Sequence, residues 1–329
     1  MLDEKWNARL RTHDQIRSHG AITNLNDGIE ITTQGVRTRL IAWPGNGFQT
    51  ESIHVLTLMP GEESVRYEYD MSDEAMVCLK GHGEVYLRGQ WVAIEAGDIA
   101  YFPERVPHAL RNSKANSTDF VVVNQICPPQ FDLYEPAGYY DRAHGTMTFA
   151  AIEKAKKQAA SANLSTDNEL HYNDSHADVR AWNLSVEEIR SGGALFNMYR
   201  GAVFSGIDVP MVLLLWPGYG VSRCGFHYGC MTPGSEAATH THPVSDECIV
   251  NWIGFGQSLI SGEYVSTGPL DVVLAPCGVA HGGKIPPDAK DVCFPGGFAS
   301  PPQLDLYVRT PYYNDGKYQV PPFEMLETK

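Results

Sequence analysis

The sequence predicts an all-β protein of two tandem β-barrels joined by a short helical connection. Three observations carry this expectation. The chain repeats itself at one fixed offset, each copy consists of short β-branched and aromatic runs punctuated by Gly and Pro, and helical periodicity is confined to the segment between the copies.

The offset is 173 residues. Ile16-Arg17-Ser18 recurs as Ile189-Arg190-Ser191, Trp43-Pro44-Gly45 as Trp216-Pro217-Gly218, and His54 as His227. Asp73-Glu74 then meets Asp246-Glu247, His108 meets His281, and Asp132-Leu133-Tyr134 meets Asp305-Leu306-Tyr307. One offset held over about 120 residues is not a chance pattern, so the chain reads as a duplicated domain.

Within the first copy, Ile53 to Met59, Ala75 to Leu79, Glu84 to Leu87 and Phe120 to Val123 are the strand candidates. Such spacing suits a small antiparallel sandwich or barrel. The connection behaves differently: Thr148 is placed to cap a helix from Phe149 to Ala160, with Phe149, Ile152, Ala155 and Ala159 on one stripe. Residues 1–141 are therefore expected to form the first barrel, 142–180 the connection and 181–329 the second barrel.

The formal net charge of −14 repels polyanions, which sets nucleic acid aside as a partner. Met1 to Asp14 mixes Asp3, Glu4, Lys5 and Arg9 without an apolar run, so neither a membrane segment nor a leader is expected, and the location expected is cytoplasmic. The seven cysteines are odd in number and lack C-x-x-C spacing, and they are read as reduced, buried small hydrophobes.

Chemistry is concentrated in the second copy, where Gly234 is followed by His240, His242 and Glu247, and later by Asp271, Pro276, Gly278 and His281. These two clusters resemble the motifs of the cupin superfamily, and the stretch His240-Thr241-His242-Pro243-Val244-Ser245-Asp246-Glu247 is most similar to the germin form. The resemblance implies jelly-roll barrels and a manganese or iron ion held by His240, His242, Glu247 and His281. Strand geometry agrees, because residues two apart such as His240 and His242 share one face. Three imidazoles and a carboxylate suit Fe(II), or alternatively Mn(II), and an octahedral ion keeps about two positions open. Asp246 is read as a turn residue, since Asp73 is its equivalent.

In the first copy, Tyr67 and Tyr69 stand at the positions of His240 and His242, so that barrel is expected to be metal-free. Residues shared by both copies, such as His227 with His54 and Trp216 with Trp43, are read as structural. Polar residues found only in the second copy are candidates for substrate contact: Asn251, four residues beyond Glu247 on the same strand face, and Arg223, placed to fix an anionic group or a ring. Trp252 is expected in the core.

Two barrels with one working site further resemble ring-cleaving dioxygenases of para-diphenols, the gentisate and hydroquinone dioxygenases. The large subunit of the latter is suggested by Pro301-Pro302-Gln303-Leu304-Asp305-Leu306-Tyr307, although His242 stands where that subunit carries Asn. The resemblance implies an aromatic small-molecule substrate, dioxygen as co-substrate, and association with itself or a smaller subunit. A manganese enzyme acting on oxalate or another small carboxylate, and a non-enzymatic metabolite-binding barrel, are the alternatives.

Overall fold

In the computed structural model, residues 4–157, 164, 170–206, 209–302 and 304–326 are described. The two copies open on the same local device. Thr12 and Ser185, at equivalent positions, cap the helices His13–His19 and Val186–Gly192 with reciprocal bonds to Gln15 and Glu188, which satisfies the first free N–H groups of each helix. Both helices stop at a glycine with positive φ, Gly20 at 74° and Gly193 at 75°. A side chain at either place would strike a carbonyl of the other copy, at 2.6 Å for Leu274 and 2.2 Å for Tyr101.

That close approach exists because the copies exchange their first strands. Ala21–Asn24 pairs antiparallel with Asp271–Ala275, Ala21 opposite Leu274, and Ala194–Asn197 pairs with Asp98–Phe102, Ala194 opposite Tyr101. The two registers are related by the same 173 residues. A large continuous sheet results, and smaller sheets, Glu236–His240 with His281–Lys284, Gly256–Ile260 and Glu263–Thr267 among them, close the barrels. The strands Ser52–Leu58, Asp73–Lys80, His82–Leu87 and Phe120–Cys127 cover the runs that the sequence predicts, except that the first ends at Leu58, one residue short of Met59. Architecture is thus all-β with few helices, as expected.

Polar clamps lock the exchange. Asp246, fully buried, accepts from the backbone N–H of Gln49 at 2.7 Å, of Thr50 at 3.0 Å and of Cys277 at 2.8 Å, and it pairs with Arg17. Asp73 is the mirror case, accepting from Tyr101, Glu104 and the Arg223 backbone. The reading of Asp246 as a turn residue is therefore corrected: its carboxylate joins the two barrels, because a buried charge needs several donors and the neighbouring copy supplies them. Arg180 and Asp98, both fully buried, form a further pair at 2.6 Å.

The barrels differ inside. Val36, Leu56, Leu58, Met76, Phe102 and Val122 fill the first, each contributing about 1.5–3 kcal/mol on burial where the side chain is large. Trp216 and Trp252 are buried core residues of the second, as expected. In the connection, the helix runs from Phe149 to Lys157, with the Thr148 hydroxyl accepting from Ala151 N–H; residues 158–160 of the predicted helix lie outside the described residues. Its contact face matches the expected stripe only in part: Ala155 packs against the cluster of Ile29, Ile31 and Trp43 and Ile152 is half-buried, but Phe149 is exposed and Ala151, off the stripe, is the fully buried residue. Small alanines let the helix approach closely, while Phe149 stands at its first turn, outside that contact.

All seven cysteines are free, and all but Cys277 are buried. No helix among the described residues is long and apolar enough to cross a membrane.

Candidate metal centre

The strand Glu236–His240 ends at the first histidine, and His240 lies directly opposite His281, which begins the strand His281–Lys284. His242 lies just past the strand end. It is nonetheless turned inward, only 1% exposed. Glu247 arrives from Asp246–Ile253, paired on one side with Ala275 and on the other with Ala299.

The sequence-predicted ligands converge. One donor atom from each of His240, His242, Glu247 and His281 lies within 4.8 Å of the others, and the last three residues are buried. An ion with bonds of about 2.1 Å separates its ligand atoms by about 3 to 4 Å, so the group has the dimensions of a coordination shell. Glu247 Oε2 is 2.9 Å from His242 Nε2 and 2.8 Å from His281 Nε2. Despite that distance His281 Nε2 makes no hydrogen bond. It is a buried nitrogen that lies beside the carboxylate without being aimed at it, which is how two ligands of one ion face each other. These residues fit a divalent metal.

The tautomers are set from behind. His240 Nδ1 donates to Ala238 carbonyl at 2.9 Å, and His281 Nδ1 donates to Val279 carbonyl at 2.9 Å, which leaves each Nε2 as the lone-pair atom. Burial, followed by the neighbouring His281, pushes the His240 imidazole below its usual range and keeps it neutral. Burial works against charge on Glu247, but His242, hydrogen-bonded to Oε2 at 2.9 Å, outweighs it and holds the carboxyl well below the usual range. Neutral imidazoles and an ionised carboxylate are the forms that bind a metal.

A cavity opens beside this group, walled by Met211, Met231, Ile249, Val273 and Ile285. No Phe, Tyr or Trp lines it among the described residues. Asn251 reaches the cavity from the Glu247 strand, as expected; its amide donates to Thr267 hydroxyl at 3.3 Å and its carbonyl accepts from Cys293 at 3.1 Å. Ser258, 2.9 Å from Thr267, extends the polar strip.

Arg223 is placed elsewhere, and its assignment to substrate contact is corrected. Its guanidinium bonds the Met71 carbonyl and lies 2.7 Å from the Glu104 carboxylate, both in the first barrel. The acceptors of the first barrel hold it there. Conversely, sequence reasoning sets His227 aside as structural, yet it lines the cavity 3.6 Å from Glu247. The signal that separates it from His54 is not in the histidine but in the residue opposite.

In the first barrel the counterparts meet differently. Glu74 Oε2 is 2.8 Å from His108 Nε2, while Glu74 Oε1 accepts from Asn124 at 2.6 Å and from Tyr67 at 3.4 Å. Tyr67, Tyr69 and Phe102 pack around His108.

A cupin-domain family profile matches residues 54–124, within the first barrel. No curated protein sequence matches the chain. Among solved structures, the putative glyoxylate-induced protein from Pseudomonas aeruginosa is similar with a TM-score of 0.58 at 11% identity, over 86% of this chain and 89% of that one. Protein Ylba from E. coli is similar with a TM-score of 0.57 at 10% identity, over 86% and 91%. An oxalate decarboxylase matches with a TM-score of 0.55 at 11% identity, over 91% and 82%. The B. subtilis oxalate decarboxylase whose Mn(II) centres have been studied matches with a TM-score of 0.52 at 12% identity, over 86% and 77%. These likenesses show the fold.

Proposed function

We propose that this chain, a cupin fold in duplicate with three histidines and one glutamate gathered in its second barrel, is a divalent-metal oxidoreductase that opens the ring of a para-diphenol with dioxygen. The observation that carries the reading is the cavity beside the ligands: largely aliphatic and thioether walls, a neutral polar strip Asn251–Thr267–Ser258, and Asp271 and Lys284 as its charged lining residues. Such a lining suits a substrate with an apolar body and a hydroxyl. Because the walls are aliphatic rather than aromatic, ring recognition falls to shape and to the polar strip.

Fe(II) is the proposed metal and Mn(II) the alternative; when bound it supplies Lewis-acid and one-electron chemistry through the coordination positions that the four side chains leave open. The chain's own contribution is positional. His240 and His281 are held in the ligating tautomer by backbone carbonyls, and Glu247 is kept anionic. Asn251, fixed between Thr267 and Cys293, orients the substrate hydroxyl, and the aliphatic walls keep water away from the reacting centre.

Action on oxalate or another small carboxylate is the second reading, favoured by Lys284 at the cavity wall. It has lost its proposed anchor, since Arg223 is engaged in the first barrel. Oxygen uptake by anaerobically purified, iron-loaded protein separates the two. Uptake with hydroquinone or gentisate and none with oxalate is expected; turnover of oxalate alone overturns the diphenol reading.

A further inference from the structure

The two barrels carry a histidine at the same place, His54 and His227, opposite the same cross-strand position: Asn124 in the first barrel, Gly297 in the second. In the first barrel Asn124 donates to Glu74 Oε1 at 2.6 Å, and His54 turns to the Tyr134 hydroxyl at 3.1 Å. In the second barrel a Cβ at position 297 would lie 2.3 Å from Glu247 Oε1 and 2.5 Å from His227 Cε1. The space that the asparagine takes in one barrel is occupied in the other by the carboxylate and the imidazole themselves. His227 Nε2 is 3.6 Å from Glu247 Oε1, whereas Glu247 Oε2 is the oxygen that faces His242 and His281. His227 is only 8% exposed, and its Nδ1 has no hydrogen-bond partner among the described residues.

We infer that His227 is a positioning residue for the Glu247 carboxylate and that Gly297 is the opening that admits it. The inference rests on the metal reading above and adds a division of labour between the two carboxylate oxygens. A carboxylate free to rotate can bind an ion through both oxygens and so occupy two coordination positions. The positive edge of the His227 imidazole, 3.6 Å from Oε1 and so longer than a hydrogen bond, attracts that oxygen and holds it off, so Glu247 presents Oε2 alone and the remaining positions stay open for substrate. The first barrel ties the same oxygen to an uncharged amide and to the Tyr67 hydroxyl.

Mn(II) titration by calorimetry, with low-temperature electron paramagnetic resonance of the loaded protein, tests this on the full chain. Wild type is expected to bind one ion. His227→Ala is expected to bind 10- to 100-fold more weakly and to change the zero-field-splitting pattern, as the carboxylate becomes bidentate. His227→Gln, which restores an N–H donor, should recover most of the affinity and the wild-type spectrum. Gly297→Ala, which crowds Oε1 without touching the histidine's own chemistry, should weaken binding as well and keeps the test open if His227→Ala fails to fold. A folded His227→Ala protein with wild-type affinity and spectrum overturns the inference, as does His227→Gln behaving like His227→Ala. Failure of wild type itself to bind any divalent ion removes the metal reading, an outcome distinct from both.

Discussion

His108 Nε2 and Glu74 Oε2 stand 2.8 Å apart in the first barrel, the separation of His281 and Glu247 in the second. Two of the four grouped residues thus have counterparts in the first barrel, where Tyr67 and Tyr69 stand in place of the other two, with Asn124 on the second carboxylate oxygen. Restoring what differs should restore the site. The triple variant Tyr67→His, Tyr69→His, Asn124→Gly is expected to raise bound Mn(II) from one ion per chain to two, read by metal analysis after gel filtration. Stoichiometry unchanged in a folded triple variant would show that the barrels differ in more than their side chains at these positions.

Asp246 holds the barrels together one residue before Glu247. Asp246→Ala leaves the N–H groups of Gln49, Thr50 and Cys277 and the Arg17 charge without their acceptor, a loss of about 3 kcal/mol or more. The denaturation midpoint in urea should fall accordingly, and Arg17→Ala, which removes one donor of several, should cost less. Equal losses for the two variants would contradict this account of the clamp.

Asn251 is pinned on both ends of its amide. Asn251→Ala should lower turnover by about 10- to 1,000-fold with iron content unchanged, since it removes an oriented polar group without touching a ligand. Loss of iron with full turnover per remaining iron would reassign Asn251 to support of the metal shell.

Burial pushes the His54 imidazole down to about 3. The unfolded chain takes up that proton at about pH 6.5, so between the two values the unfolded state holds more protons than the folded one. The stability that His54 contributes is complete above pH 6.5 and is lost as pH falls toward 3. Metal-free His54→Gln protein should therefore show a shallower fall in melting temperature from pH 6.5 to 4 than metal-free wild type. Parallel curves for the two proteins would refute the assignment.

The fold is legible in the sequence because duplication writes each strand twice: a single offset aligns Asp73 with Asp246 and His108 with His281 from the residues alone. The four grouped residues are legible for the same reason, Tyr67 and Tyr69 of the first copy standing where His240 and His242 stand in the second. The strand exchange is not legible, because Ala21 and Ala194 read as ordinary strand residues and partner choice is tertiary. Arg223 is misplaced on the same ground. Its partners Met71 and Glu104 lie more than a hundred residues away, and the sequence does not show which barrel faces it. His227 escapes notice because a residue shared by both copies is taken to play one part, whereas the neighbour opposite, Asn124 or Gly297, decides the part.

The central claim is that His240, His242, Glu247 and His281 form one metal centre per chain. Metal analysis of protein purified without oxygen and loaded with Fe(II) or Mn(II) tests it most directly, with Glu247→Ala and His240→Ala alongside. One ion per wild-type chain, and close to none in either folded variant, is the predicted result. Two ions per wild-type chain, or a full complement retained by Glu247→Ala, would contradict it.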